Sequence, residues 1–260
     1  MIRLLFFLLL LNTSLLAQKK ITTINITGEI LSASVDRVGE LYVITKNAQI
    51  QRFDANGKLI SFYRRGPAPS LFEPRDGSRL FAFFKPDRKI EYLSPSFEVQ
   101  ISSVIDSAFV IEPWLACSSG DYNLWVIDAA DHTLKKIDPR TSSVPVDVKF
   151  PENFPSDLSV ISSMREYQGF LFFLDQQKGI HIFNGMGKWI KTISIQDPKY
   201  FNFLGEELYY PEHNKLIFIN LFSAERREML LMQPFKIALL TDERMFLVQR
   251  TAIDFFEYKP

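Results

Sequence analysis

Short apolar segments recur along this chain at a nearly constant interval, which constrains its fold more than any other feature of the sequence. Six almost wholly apolar runs begin 37 to 47 positions apart, at Leu41, Leu80, Leu124, Leu171, Leu208 and Met245. A second run follows each of them about nine positions later, at Ile50, Ile90, Leu134, Ile180, Leu216 and Ile253. Wholly apolar runs are typical of strands covered on both faces, and several second runs alternate as half-covered strands do. Six units of about 40 residues predict an all-β fold, a six-bladed β-propeller formed by residues 18–260.

The first and last units predict how such a ring closes. The first unit has four strand signals, at residues 33–36, 41–45, 50–54 and 59–62. The last unit, residues 235–258, supplies only three. The alternating, β-branched segment 21–27 is available as the fourth. We therefore expect the N-terminal strand to close the last blade and to cover two otherwise open sheet edges.

The beginning of the chain has the three-part layout of a secretory signal peptide. Arg3 precedes an apolar run over residues 4–11, and Ala17 offers a small residue at a cleavage point. The run is shorter than the roughly 20 residues that span a bilayer. The sequence predicts a cleaved signal peptide over residues 1–17, with an uncleaved membrane anchor as the alternative. It predicts no transmembrane segment in the mature chain.

Charge and cysteine content exclude several classes of protein. The chain has 30 basic and 30 acidic residues, and this balance argues against nucleic acid as a partner, since that partner requires concentrated Lys and Arg. Cys117 alone cannot form an intramolecular disulfide. It falls in a predicted inner strand over residues 113–118, where a small buried thiol is expected. The sequence contains no Gly-rich phosphate loop, HExxH or CxxC motif, and no cofactor is predicted.

Blade one carries a family resemblance. Residues 35–43 (VDRVGELYV) and 49–59 (QIQRFDANGKL) resemble an NHL-type propeller repeat. The following Arg65-Gly66-Pro67, with Phe72 and Pro74, resembles the loop that joins blades in bacterial six-bladed, TolB-like propellers. The resemblance implies a six-bladed ring but no single activity. Propellers of this kind include sugar-lactone hydrolases, lyases and proteins that only bind other proteins.

Basic and aromatic residues in the loops form a candidate ligand site. In a propeller, the loops between blades and the turns between second and third strands emerge on the same face. We expect that face to collect six ligand-binding residues: Arg64, Arg65, Arg75, Arg88, Trp114 and His132. Arginine offers a planar fork of donors that suits a carboxylate or phosphate. The alternative is ordinary solvated loop charge.

Histidines and inner-strand polar residues raise the question of a metal. His132, His181 and His213 lie at or near the turns between second and third strands of three successive blades. Because these turns lie off the axis and neighbouring blades fan apart, the sequence predicts no metal shared by the three histidines. Among the propellers that blade one resembles, the lactone hydrolases hold a divalent metal in the channel through Glu, Asn and Asp side chains of inner strands. Here the inner strands offer Asp36, Glu112 and Asn202.

These observations favour binding over catalysis. The sequence assembles no nucleophile, base or metal cage, and no catalytic residue is predicted. The predicted function is an exported, non-catalytic propeller that acts as a protein-binding scaffold in the cell envelope, with an envelope protein as its partner. The alternative is a metal-dependent hydrolase of the lactonase-type propeller class. With no C-terminal sorting domain visible, the sequence favours the periplasm over the extracellular space.

Overall fold

The computed structural model of the protein describes residues 19–64, 66–75, 77–152, 154–155 and 157–259. These residues form six four-stranded sheets, and each sheet is one blade of a six-bladed β-propeller. The predicted fold is confirmed. In this part of the chain, no helix has the length and apolarity that a membrane span requires. The predicted signal peptide, residues 1–17, lies outside the described residues.

Each blade runs from an inner strand at the axis to an outer strand at the rim, with antiparallel neighbours. Blade six takes its outer strand from the start of the chain: β1 (Lys20–Asn25). Blade one contains β2 (Ile30–Val35), β3 (Leu41–Thr45), β4 (Ile50–Phe53) and β5 (Leu59–Tyr63). Blade two contains β6 (Leu71–Glu73), β7 (Leu80–Phe84), β8 (Lys89–Leu93) and β9 (Val99–Val104). Blade three contains β10 (Pro113–Ser118), β11 (Leu124–Asp128), β12 (Thr133–Asp138) and β13 (Ser143–Lys149).

The second half of the ring repeats this order. Blade four contains β14 (Ile161–Tyr167), β15 (Phe170–Asp175), β16 (Gly179–Asn184) and β17 (Trp189–Ser194), and a 3-10 turn, Leu158–Val160, precedes it. Blade five contains β18 (Asn202–Leu204), β19 (Glu207–Glu212), β20 (Lys215–Asn220) and β21 (Arg226–Leu230). Blade six contains β22 (Ile237–Leu240), β23 (Arg244–Val248) and β24 (Ala252–Glu257), followed at the rim by β1.

The N-terminal strand closes the ring, as the sequence predicts. β1 pairs antiparallel with β24, with Ile24 opposite Ile253. The Thr23 hydroxyl donates a hydrogen bond to Asp254 Oδ1 at 2.6 Å, and Lys20 Nζ lies 2.6 Å from the same oxygen. The last blade is therefore completed by residues from the opposite end of the sequence.

The hydrophobic core lies between neighbouring blades. Second strands are the most deeply covered, and β3, β7 and β11 are buried at every residue. Tyr42 of blade one, for example, packs in one cluster with Leu80 and Leu93 of blade two. Four phenylalanines of second strands are fully buried in this core: Phe81, Phe83, Phe172 and Phe173.

The inner strand of blade two is short. β6 has three residues, Leu71–Glu73, and ends before Pro74, which lacks the N–H that a strand ladder uses. Arg75 therefore follows the inner strand, whereas Arg64 precedes it. Since the two ends of a strand point to opposite ends of the ring, the expectation that Arg64 and Arg75 lie on one face is wrong.

Candidate functional site

The ring has two faces, which we call the loop face and the turn face. The loop face carries the connections between blades and the turns between second and third strands, with Arg64, Arg88, Trp114 and His132 at or near it. The turn face carries the turns that follow the inner strands, with Arg37, Arg75, Ser119 and Gln168 in them. Of the six residues predicted to bind a ligand together, Arg65 lies outside the described residues and Arg75 lies on the other face.

On the loop face, Arg88 holds the connection between blades two and three. Its guanidinium donates to the carbonyl oxygens of Val110 at 2.6 Å, Ile111 at 3.0 Å and Ile105 at 3.2 Å. Its backbone has a φ of 52°, the left-handed conformation of a tight turn. The side chain and the backbone of Arg88 thus both serve the local loop structure.

Trp114 and His132 likewise contact neighbouring backbone. The indole Nε1 of Trp114 donates to the Ile161 carbonyl oxygen at 3.1 Å, and Lys85 Nζ lies 2.9 Å from the centre of its ring. His132 Nε2 lies 2.8 Å from the Pro155 carbonyl oxygen. Trp114 therefore ties blade three to the first residue of blade four, His132 contacts the connection that follows its own blade, and Arg64 is exposed.

On the turn face, a buried carboxylate ties three blades together. Glu166, at the end of inner strand β14, accepts hydrogen bonds from the Trp125 indole at 2.7 Å and from the Gly120 backbone at 2.8 Å. The Ser119 hydroxyl donates to the same side chain. From blade two, Arg75 Nη2 donates to the Glu166 carbonyl oxygen at 2.7 Å. Both carboxylate oxygens are thus occupied by donors from blade three, while Arg75 adds blade two.

A second ion pair bridges blades two and four, which are not adjacent in the ring. Arg165 Nε donates to Glu73 Oε1 at 3.1 Å, and Arg165 Nη1 donates to Asn202 Oδ1 of blade five at 2.7 Å. Glu73 is only 4% exposed, and this burial raises the pKa of its carboxyl group. Its Oε2 accepts no hydrogen bond from any described residue. Side chains that join non-neighbouring blades lie at the axis, so these charges occupy the centre of the ring.

A cleft opens on the turn face beside these pairs. It has a volume of about 380 Å³, and its lining includes Arg37, Arg75, Arg79, Tyr92, Tyr122 and Glu166. We call it the arginine cleft. The Arg79 guanidinium carbon lies 4.8 Å from the centre of the Tyr92 ring and 4.9 Å from that of Tyr122. A second cavity of about 140 Å³ shares Arg37 and Arg75 with it.

Asp36, Glu112 and Asn202, which were considered as metal ligands, do not lie together at one site. Asp36 and Asn202 both line the smaller cavity, whereas Glu112 precedes β10 at the loop face. Asp36 accepts hydrogen bonds at 3.0 Å from two backbone N–H groups of the following turn and from the Tyr42 hydroxyl. Over the described ranges, no group of three or more His, Cys, Asp or Glu side chains is placed to hold a metal ion.

The histidines occupy separate settings. His181 is buried in β16, with Nε2 at 2.9 Å from Asp175 Oδ2 and Nδ1 at 2.8 Å from Thr192 Oγ1. Burial lowers its pKa, although Asp175 acts in the opposite direction. The carboxylate of Asp175 also accepts two backbone N–H groups from the turn after β15. His181 therefore supports the second-to-third turn of blade four.

Cys117 is fully buried in β10, as predicted, and we expect it to resist thiol reagents. Burial, reinforced by the carboxylate of Glu73, raises the pKa of its thiol. Because the thiolate is the reactive form, a maleimide should leave the native protein unmodified and label Cys117 completely after unfolding in guanidinium chloride. Mass spectrometry of the intact protein measures both states. Rapid labelling of the native protein would contradict the buried placement.

Sequence reasoning overlooked Glu73, Arg165 and Glu166. Charged residues are rarely buried unless they are paired. Two adjacent charges within an otherwise uncharged stretch, in the sequence ISSMREY, were the available signal. The partners of these residues lie about 40 to 90 positions away along the chain, and nothing in the local sequence identifies them.

Comparisons with known proteins support the architecture. Neither a protein-family model nor a curated protein sequence matches the chain. Among solved structures, virginiamycin B lyase from Staphylococcus aureus is 13% identical, with 91% of this chain and 98% of that chain covered and a TM-score of 0.56. BBS1N, solved in complex with ARL6DN, is 7% identical, with 92% and 97% covered and a TM-score of 0.58.

A third similar structure belongs to a larger protein. The extracellular domain of a putative hybrid two-component system from B. thetaiotaomicron is 14% identical, with 89% of this chain and 35% of that chain covered and a TM-score of 0.52. At such low identities, these similarities show the propeller fold alone. The function of the chain has to be argued from its own surface.

Proposed function

We propose that the protein is an exported, non-catalytic propeller that binds an envelope protein through the outer sheet edges of blades one and two. The predicted signal peptide over residues 1–17 supports export, and the periplasm stays the compartment that we favour. The NHL-type assignment also stays a prediction, supported by the repeat motif of blade one.

The outer strand of blade two carries this proposal. All six residues of β9 are exposed, yet its sequence, VQISSV, contains no charge and no proline. Val99, Ile101 and Val104 are 42%, 52% and 65% exposed. An outer strand presents a row of unpaired backbone N–H and C=O groups, to which an extended segment of another protein can add as a further strand.

Most other outer strands carry residues that discourage such pairing. Lysine, arginine or proline on an edge strand opposes the addition of another strand. β1, β13, β17 and β21 each contain at least one of them: Lys20, Pro145, Lys149, Lys191, Arg226 and Arg227. β5, with the sequence LISFY, shares the uncharged composition of β9.

The two uncharged edges belong to neighbouring blades that contact each other. Ser61 Oγ of β5 donates to the Pro95 carbonyl oxygen at 3.3 Å, and Arg52 Nη1 donates to the same oxygen at 2.7 Å. Pro95 lies in the turn that leads into β9. Together with the exposed Phe62, these edges form one apolar sector of the rim. This sector is the surface to which we assign the partner.

A photo-crosslinking experiment in the producing cells tests the proposal. A photoreactive amino acid at Ser102 of β9 should give one discrete adduct with an envelope protein. The same amino acid at Asp147 of the charged strand β13 should give none. Ile101→Lys should abolish the Ser102 adduct, because a lysine at the edge must be desolvated when another strand pairs with it.

Ile190→Lys on β17 is the matched control for Ile101→Lys. Ile190 is 42% exposed on an outer strand that already contains Lys191, so this substitution should leave the adduct unchanged. Equal adducts from Ser102 and Asp147, an adduct with a second copy of the chain, or an adduct that survives Ile101→Lys would each contradict the proposal.

A further inference from the structure

We propose that the arginine cleft binds a small organic anion through a carboxylate or phosphate group. This proposal does not rest on the protein partner, because the cleft lies on the turn face and β9 lies on the rim. It also differs from the loop-face site expected from the sequence, since Arg75 is the only residue that the two sites share.

The charges that line the cleft favour an anion. Its described lining residues include three guanidinium groups, those of Arg37, Arg75 and Arg79, and one carboxylate, that of Glu166. Glu166 is occupied by donors from blade three and by Arg75. Within the described ranges, exposed Arg37 forms no ion pair. Arg37 therefore contributes to the cleft a positive charge that pairs with no described carboxylate, and this favours an anion over a cation.

The cleft is also built in advance of any ligand. Arg75 is held by the Glu166 carbonyl oxygen, and Arg79 lies against the rings of Tyr92 and Tyr122 at distances typical of cation–π contacts. An arginine fixed in this way loses little further freedom when a ligand binds beside it. The planar donor fork of an arginine suits the planar carboxylate and the phosphate group.

The dimensions of the cleft limit the ligand to a small molecule. A volume of about 380 Å³ lies within the range of small-molecule sites, which is about 300–1,000 Å³. Tyr122 is 59% exposed at its edge and offers an apolar surface next to the charges. We therefore assign the cleft to a molecule that has one anionic group and an organic body.

Isothermal titration calorimetry with two separate probes, benzoate and phenyl phosphate, tests this assignment in a buffer free of other oxyanions. At least one probe should bind saturably to the wild-type protein, and the tighter one identifies the preferred group. Arg37→Gln should weaken that binding by about tenfold or more, because it removes a charge-assisted hydrogen-bond donor. Arg79→Gln should act in the same direction.

Arg64→Gln is the matched control, since Arg64 is an exposed arginine on the opposite face, and it should change the affinity less than twofold. Arg37 is exposed, so its variant should fold normally, which a melting curve verifies. Ile101→Lys should bind the probe as the wild type does, which separates this test from that of the proposed function. Saturable binding of neither probe, or equal losses in Arg64→Gln and Arg37→Gln, would overturn the assignment.

Discussion

Deletion of residues 19–28 should lower the melting temperature by more than about 10 °C and convert the protein to aggregates. The deletion removes β1, and β24 then becomes an open edge with the sequence AIDFFE. Exposed apolar edges of this kind pair with other chains. It also removes Ile24 and Ile26 from the core cluster between blades six and one. We expect the free energy of unfolding to fall by several kcal/mol. Since each kcal/mol lowers the melting temperature by about 2–4 °C, this loss gives the expected shift.

Thermal melting and size-exclusion chromatography of the truncated protein measure this effect. Thr23→Val is the matched control, because it keeps β1 and removes only the hydrogen bond to Asp254. It should cost about 1 kcal/mol, the usual contribution of one such bond. A truncated chain that stays monomeric and melts with the intact protein would show that β1 does not close the ring.

Glu166→Ala should destabilise the protein by about 3–5 kcal/mol, which is the cost of breaking a buried charge network by removing one partner. The substitution leaves the Trp125 indole and the Gly120 N–H without their acceptor. It also removes the carboxylate beside Arg75, 3.7 Å away. At about 2–4 °C for each kcal/mol, the melting temperature should fall by about 10 °C.

Urea unfolding followed by circular dichroism measures the change in free energy. Glu206→Ala is the control, because Glu206 is an exposed glutamate in the next blade, and it should change stability by no more than about 0.5 kcal/mol. The free energy of unfolding of Glu166→Gln should lie between those of the Glu166→Ala and Glu206→Ala proteins, since the glutamine side chain keeps one oxygen acceptor. A Glu166→Ala protein as stable as the Glu206→Ala protein would mean that the axial network does not hold the blades together.

The six-bladed architecture was predictable because the spacing of apolar residues along the sequence indicates where the strands lie. The runs beginning at Leu41 and Leu124 are apolar throughout, since second strands are covered by blades on both sides. The alternating segment over residues 21–27 likewise identified β1, because half-covered strands alternate in any sheet. Both signals depend only on neighbours along the sequence.

The site was less predictable because it depends on contacts between distant residues. Pro74 and the short strand β6 place Arg75 on the turn face, and a strand of three residues leaves almost no periodic signal. The loop-face candidates looked equivalent in the sequence, yet Arg88 turned out to cap three carbonyl oxygens of a nearby loop. A polar residue in a turn has the same sequence signal whether it binds a ligand or supports the backbone.

Hydrogen–deuterium exchange of the β9 amides reports directly on whether a partner strand pairs with the edge of blade two. Exchange is measured in the free protein and in the complex that it forms with the envelope protein identified by crosslinking. Because that partner is proposed to pair with the edge of blade two, exchange over residues 99–104 should slow by at least about tenfold in the complex, while β13 should be unchanged. Unchanged exchange in β9 together with new protection elsewhere on the ring would contradict edge pairing at blade two.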